Sequence, residues 1–407
     1  MGGVLRLRVP FAFTGLDPHV LDDPLSALFA PAIFDPLFAL DASGKPYPTL
    51  ASALPERTAN GARVSLRAEL VTSRGKPLTA QDLIFSFKRA LALGGGAVLS
   101  GFHAPSSDGK DGLSITVPGA EPEALARALA SPLTALVPRS FSPLAPDGTG
   151  AFAAAPNRGS LTLARNERAA RGAAFLDRIE VSSATDLADA LRAFEAGTVD
   201  VGWLGNGLYR PRAGAIALEG PVFGWIALRT GLEAKAWGAP GIAQQLCAAL
   251  PADALSHFGV RALPQTEAGV RWGGGPSTLL VPDDSPHLLE LGRALEPLLG
   301  SAGNEIRTQP TARAGYVEAR RARKFGLMLD FVRATSSDLA DAARTLLTAV
   351  DPALAKKPPR AASLSEVART LPLGVLGEAH VAGARMPQLV GLENWSLGNV
   401  WLDESKR

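Results

Sequence analysis

Residues able to do nucleophilic or acid–base chemistry are sparse and scattered in this chain. The five histidines, His19, His103, His257, His287 and His380, nowhere stand at i, i+4, so no helix face carries a metal-binding pair. Cys247 is the only cysteine, which excludes an intrachain disulfide and a cysteine metal cluster. It lies in the apolar helical stretch IAQQLCAAL and reads as a buried small residue. GxSxG, HExxH and GxxxxGK[ST] are all absent. SRGKPL, Ser73 to Leu78, is not a phosphate loop, because Lys76 is followed by Pro77 where a hydroxyl is required. Carboxylates are many, but no pair is singled out for acid–base work. A hydrolase or transferase is therefore disfavoured, although triads also assemble from distant positions. No cofactor and no metal is expected.

The composition narrows the classes further. The 407 residues suffice for two or three domain-sized units. Lys and Arg number 41 against 39 acidic residues, a net charge of +2, with no basic stripe of the kind a nucleic-acid binder shows. The densest basic run, Arg320, Arg321, Arg323 and Lys324, reads as one solvated helix face. Hydrophobic residues make up 46%, yet no apolar run approaches the span of about 20 residues that crosses a bilayer. The opening Met1-Gly2-Gly3 leads straight into strand-like VLRLRV, without a charged start and apolar core. Such an opening suits a chain trimmed of its signal or a cytosolic protein.

The elements that must position any site follow from periodicity. The clearest is a helix written into Ser73 to Gly96. Thr79 is its N-cap, Asp82 the reciprocal carboxylate, and Leu78 with Leu83 a hydrophobic staple. Leu83, Phe87, Ala90 and Leu91 share one face, and Gly94 to Gly96 stop the helix. Val4–Val9 and Arg63–Ala68 alternate as strands, and Ser131 to Thr149 is a proline-broken connector. From Leu161 strands and helices alternate. Arg178–Val181, the helix Asp186–Ala196 and Val199–Leu204 form a crossover unit on a largely parallel sheet. Thr278–Val281, a helix capped by Ser285, and Glu305–Thr308 form a second such unit. Tyr316–Lys324 reads as a helix, Phe325–Leu329 as a buried strand and Ser337–Val350 as a helix. Two α/β units about a hundred residues apart imply two lobes, with ligands beyond the strand ends and a cleft that can close.

GKPLTAQDLIFSFKRAL resembles the segment G-x-P-L-T-A-x-D-V-x-F-S-x-x-R of the dipeptide- and oligopeptide-binding class of extracytoplasmic solute-binding proteins, family 5 type, the receptors of ABC importers. Upstream, GLDPH and IFDPLFALDASGKPYPTLAS follow that class in order. Downstream, Gly148-Thr149-Gly150-Ala151-Phe152, ARNERAARGAAFLDRIEV and ALRAFEAGTVDV resemble its later phrases. The likeness is strong from 16 to 203 and loose from about 230 through KFGLMLDF and GNVWLDE. Peptide receptors of this class often carry G-W-x-x-D-Y after the strand matching Phe325–Leu329, with an acid for the peptide's amino terminus. Here the segment reads DFVRATSSD, and neither Asp330 nor Asp338 stands at that place.

The resemblance implies an α/β, bilobed type II periplasmic-binding-protein fold with a small inserted third domain. Residues 1–40, 148–222 and 386–407 would form lobe I, 41–147 the insert and 223–385 a shortened lobe II. Two strands would cross between lobes, near Phe223–Thr230 and after Gly374. The capped helix would lie in the insert, away from the ligand. The implied function is capture of a small or peptide-like solute between the lobes, without enzymatic activity, and delivery to an ABC permease in the inner membrane. The protein would be an extracytoplasmic monomer, periplasmic or membrane-anchored, binding no nucleic acid. The alternative is a receptor-fold module that senses ligand without transport, or one for a bulky apolar ligand. Trp203, Tyr209, Trp225 and Arg229 follow strand ends or lie near the expected crossing, and are the candidate ligand-binding residues. Arg229 suits an acidic ligand group, because its guanidinium can hold a carboxylate with two bonds.

Overall fold

The computed structural model describes residues 2–107, 112–157, 159–203, 212–264, 268–336, 338–403 and 405. Among these, an 11-stranded sheet runs through the molecule. One half is built on Val4–Val9, whose buried Leu5 and Leu7 alternate with the exposed Arg6 and the half-buried Arg8. It pairs in parallel with Arg178–Ser183 on one side and Val201–Trp203 on the other. The intervening helix Leu187–Glu195 is the predicted crossover, and Phe194 is its buried anchor. The other half repeats the device. Ser277–Pro282 lies between Ile306–Thr311 and Leu327–Arg333, parallel to both. The helices Pro286–Leu299 and Arg313–Ala322 make the crossovers. No described helix is long and apolar enough to cross a membrane.

Two long antiparallel strands, Ile216–Thr230 and Leu373–Arg385, join the halves. At one end Leu373–Arg385 pairs with Val201–Trp203, and at the other Ile216–Thr230 pairs with Leu327–Arg333. These are the crossing strands expected near Phe223–Thr230 and after Gly374, each longer than its sequence signal. Their ladder shifts register between Glu219 and Val222 and again before Gly224. A bulged ladder lacks regular bonds at those points and bends there. Val260–Ala262 pairs with the same strand, an element that the sequence reading left unassigned.

A separate four-stranded sheet contains Glu56–Thr58, Gly61–Ser65, Ser114–Pro118 and Ser106–Ser107. The capped helix, Ala80–Ala92, covers it, and Leu83, Phe87 and Ala90 join its core. The cap is made somewhat differently from the expectation. Asp82 Oδ2 accepts both the Thr79 N–H (3.0 Å) and the Thr79 hydroxyl (2.8 Å), so the carboxylate satisfies the turn and orients the threonine. Gly94 and Gly95 act by closeness rather than by left-handed backbone. A Cβ on Gly94 would sit 2.7 Å from the His19 carbonyl, and one on Gly95 2.8 Å from that of Leu133.

The phrases that carry the family resemblance turn out to be fastenings. Arg89 on the capped helix forms a two-bond pair with Asp17 of LDPH, and its Nη1 lies 2.9 Å from His19 Nδ1. Asp35 of IFDP accepts the Thr149 hydroxyl at 2.8 Å. Gly148 and Gly150 pass so close to Ile33 and Ala32 that a Cβ would meet their carbonyl oxygens at 2.1 and 2.6 Å. Asn166 Nδ2 donates to the Gly150 carbonyl at 2.8 Å. The Arg89–Asp17 pair ties the unit carrying the four-stranded sheet to the half built on Val4–Val9, and the other contacts brace the loops of that half.

Candidate functional site

A cavity of about 830 Å³ opens where the two halves and the end of the capped helix meet. Leu21 and Asp22 contribute from the N-terminal loop, and Ala92, Leu93 and Gly94 from the helix end. The helix expected to stand away from any ligand therefore ends on this wall. The opposite side belongs to the second half of the sheet. Arg229 projects from a crossing strand, and Arg320, Arg321 and Arg323 come from the helix Arg313–Ala322 and its cap. Apolar surface is supplied by Val317, Phe325, Phe331, Val350 and Leu371. A concave site of this size, where apolar surface and charged groups converge, has the features of a small-ligand pocket.

The charges behind the wall form one buried network. Ala227 is opposite Asp330 in the antiparallel ladder, so Arg229 is a diagonal neighbour on the same face. Arg229 Nε donates to Asp330 Oδ2 at 2.6 Å, and its Nη2 to the Ala349 carbonyl at 2.9 Å. Arg320 Nη2 donates to Asp22 Oδ2 at 2.5 Å, while its Nη1 stands 3.5 Å from Asp330. Tyr316 places its hydroxyl 2.8 Å from the Leu329 carbonyl and 3.1 Å from Asp330 Oδ1. Burial pushes the Asp330 carboxyl up, but Arg229 and Arg320 outweigh it and hold the group below its ordinary range. Burial likewise disfavours the Arg320 cation, and Asp330 with Asp22 more than restores it. Asp330 is thus an ionised counter-ion, 1% exposed, with its oxygens engaged by protein donors.

Direct bonds also cross between the halves. The Arg333 N–H donates to the Leu21 carbonyl at 2.7 Å, and its Nη1 to that of Pro18 at 2.8 Å. The Ala12 N–H donates to the Asp284 carbonyl at 2.9 Å. Arg333 is 2% exposed, and burial lowers its pKa to about 10, partly offset by Asp23 and Asp17.

Of the four residues singled out in the sequence, Arg229 is on the cavity wall. Trp203 lies inside an aromatic cluster, with Trp395 at 5.2 Å, Phe223 at 6.3 Å and Phe11 at 6.5 Å between ring centroids. Trp225 is buried on the other side of the sheet among Leu346, Val367 and Val375. Neither indole lines the cavity. A strand-end position does not fix which face a side chain takes, since alternate residues point oppositely. Both indole N–H groups are buried without an acceptor among the described residues. Tyr209 lies outside the described residues. Sequence reading missed Arg320, Arg321 and Arg323 as wall residues. The basic run was visible, but a helix segment this polar reads as a solvated face.

Asp338, the other acid near the position of the family's anchor, caps the helix Leu339–Val350, accepting from the Ala340 and Asp341 N–H groups at 2.9 and 3.1 Å. Both nearby acids therefore have structural partners.

A scan against family models matches residues 45–212 to bacterial extracellular solute-binding proteins, family 5 Middle. No curated protein matches the chain. Solved structures match end to end at low identity. The oligopeptide-binding protein AppA from Bacillus subtilis, in complex with a nonapeptide, superposes with a TM-score of 0.73 at 14% identity, covering 99% of both chains. DppA from Helicobacter pylori, in complex with the peptide STSA, gives 0.73 at 15% identity over 99% of this chain and 98% of its own. MoaA in complex with mannopinic acid, from A. tumefaciens R10, gives 0.74 at 16% identity over 99% and 100%. At these identities the superpositions speak for the fold, and the family match names the lineage. Family 5 proteins are receptors rather than enzymes; residues 45–212 of this chain match that family's model, and the whole chain shares the fold of its solved members.

Proposed function

We propose that the protein captures a small solute in the 830 Å³ cavity between its halves and hands it to the permease of an ABC importer. The observation that carries this reading is the composition of the wall, to which both halves and the capped helix contribute. Closure of such a site buries a ligand from several sides at once. The three solved relatives hold a nonapeptide, the peptide STSA and mannopinic acid, which supports a peptide or an opine as the ligand class. Residues 1–40, 148–222 and 386–407 act as one lobe, 223–385 as the other, and 41–147 as an insert that completes the wall. The receptor works as a monomer outside the cytoplasm, free or membrane-anchored. Arg229 is its ligand-facing residue among the four first singled out. Trp203 and Trp225 contribute by holding the lobes in shape.

Filling the cavity tests this. Val317 is 38% exposed on the wall, so Val317→Trp obstructs the site with little cost to the core. Native mass spectrometry of wild type incubated with a di- to pentapeptide and opine mixture should show one bound molecule, lost in the variant. Equal retention by both proteins would move the site elsewhere.

A second reading, a receptor fold that senses without transporting, is favoured by one observation. Arg333 and Ala12 bond the halves directly, and these contacts resist opening of the cleft. Small-angle scattering separates the two: a transport receptor should contract on adding ligand, whereas a latched module should keep its radius of gyration.

A further inference from the structure

We propose that the cavity selects an anionic solute with an apolar body, its oxyanion held by Arg321 and Arg323 at the rim with Arg229 reaching it from inside. This rests on the capture reading and specifies its ligand.

The charge balance of the wall leads to it. Four guanidinium groups, Arg229, Arg320, Arg321 and Arg323, face three carboxylates, Asp22 and Asp351 on the wall and Asp330 behind it. The carboxylates are largely committed. Asp22 is taken by Arg320, with Arg313 at 3.8 Å, and Asp330 by Arg229 and Arg320. Asp351 Oδ1 accepts the Ala353 N–H at 2.8 Å. The arginines are not equally committed. No carboxylate of the described residues stands within ion-pair distance of Arg321 or Arg323. Arg229 spends Nε and Nη2 on Asp330 and Ala349, which leaves Nη1 as its open donor. A cation entering this site would meet an excess of like charge in a partly desolvated space. An anion would find planar donor forks suited to carboxylate or phosphate.

The backbone adds an independent sign. Arg323 caps its helix with φ of 54°, the left-handed region that glycine normally supplies at this position. A side chain there costs about 1–2 kcal/mol. Strained positions of this kind concentrate at functional sites. Asp351 is the one wall carboxylate without a guanidinium partner among the described residues, and Arg321 and Arg323 outnumber it.

The test uses one scaffold with its charge varied: acetyl-trileucine as the free acid, the same peptide as its terminal amide, trileucine amide with a free amino group, and acetyl-Leu-Leu-phosphoserine amide. Titration calorimetry at low salt should show the acid, the phosphate or both binding at least tenfold tighter than the neutral and cationic forms. The stronger of the two identifies carboxylate or phosphate. Arg321→Gln with Arg323→Gly should remove that preference while thermal stability holds or rises, since glycine relieves the left-handed cap. Binding that ignores charge or favours the cation, yet is still lost in Val317→Trp, overturns the anion proposal and leaves capture standing. If none of the four binds, the anion proposal falls, and the capture reading is decided by the peptide and opine mixture.

Discussion

Asp330 shows how one residue type can carry opposite meanings. In the sequence it is an acid near the place where a peptide receptor anchors an amine. In the structure it is a buried counter-ion with Arg229 at 2.6 Å and Tyr316 at 3.1 Å. Removing one partner of a buried pair strands the other, at about 3–5 kcal/mol. Asp330→Ala should therefore lower the denaturation midpoint sharply, while Asp351→Ala, at the exposed rim, should barely move it; chemical denaturation distinguishes the two. His287 supplies a second residue-scale expectation. Its Nε2 lies 2.7 Å from the Phe258 carbonyl, so that nitrogen carries the hydrogen. Burial lowers its pKa from 6.5 to about 4, partly offset by that bond. The unfolded chain takes up this proton near pH 6.5 and the folded chain only near pH 4. Stability from His287 is thus complete above 6.5 and falls as the pH drops toward 4, by about 3 kcal/mol. Asp23, Asp35 and Asp284, raised by burial, act in the opposite sense. The contribution is read by difference: His287→Gln, which keeps a donor for Phe258, should flatten the acid limb of a Tm-against-pH curve.

At the scale of elements, the sequence was most legible where a local rule fixes the outcome. The capped helix, both crossover units and the Ser285 cap stand where periodicity and capping put them. Asp82 also accepts the Arg139 N–H at 2.9 Å, so Asp82→Ala should cost about 1–3 kcal/mol, more than a surface cap, in thermal unfolding. Less legible was anything that depends on which face meets which. Trp203 and Trp225 follow strand signals correctly, yet the sheet turns both into cores. The basic helix gives the converse case. Arg320 points inward to Asp22 and Asp330 from a segment whose polarity suggests solvent. Pairing partners 298 residues apart leave no trace in local pattern.

For the whole molecule, the phrases that made the family recognisable are those that fasten its parts. Arg89 with Asp17 holds the unit carrying the four-stranded sheet, while Asp35 with Thr149 and the close passage of Gly148 and Gly150 under Ile33 and Ala32 brace the loops beside it. Architecture was therefore readable from the first half of the chain. Ligand chemistry was not, because most of the charged wall comes from residues 229 and 320–323, where the likeness is loose. The fastening has a testable counterpart. Arg89→Ala leaves Asp17 without its two-bond partner and should loosen the insert before the main sheet unfolds. Hydrogen exchange should then quicken in Gly61–Ser65 and Ser114–Pro118 while Val4–Val9 stays protected.

The helix Arg313–Ala322 buries only one of its residues, Tyr316, yet it supplies Val317, Arg320 and Arg321 to the cavity. Arg313 and Arg320 bond to Asp22, Asp284 and Asp330, Ala319 packs beside Tyr316, and the other positions are exposed. Selectivity in this receptor is consequently portable. A replacement ten-residue segment that keeps Arg313, Tyr316, Ala319 and Arg320 should change what the cavity admits while leaving the sheet and the crossing strands untouched.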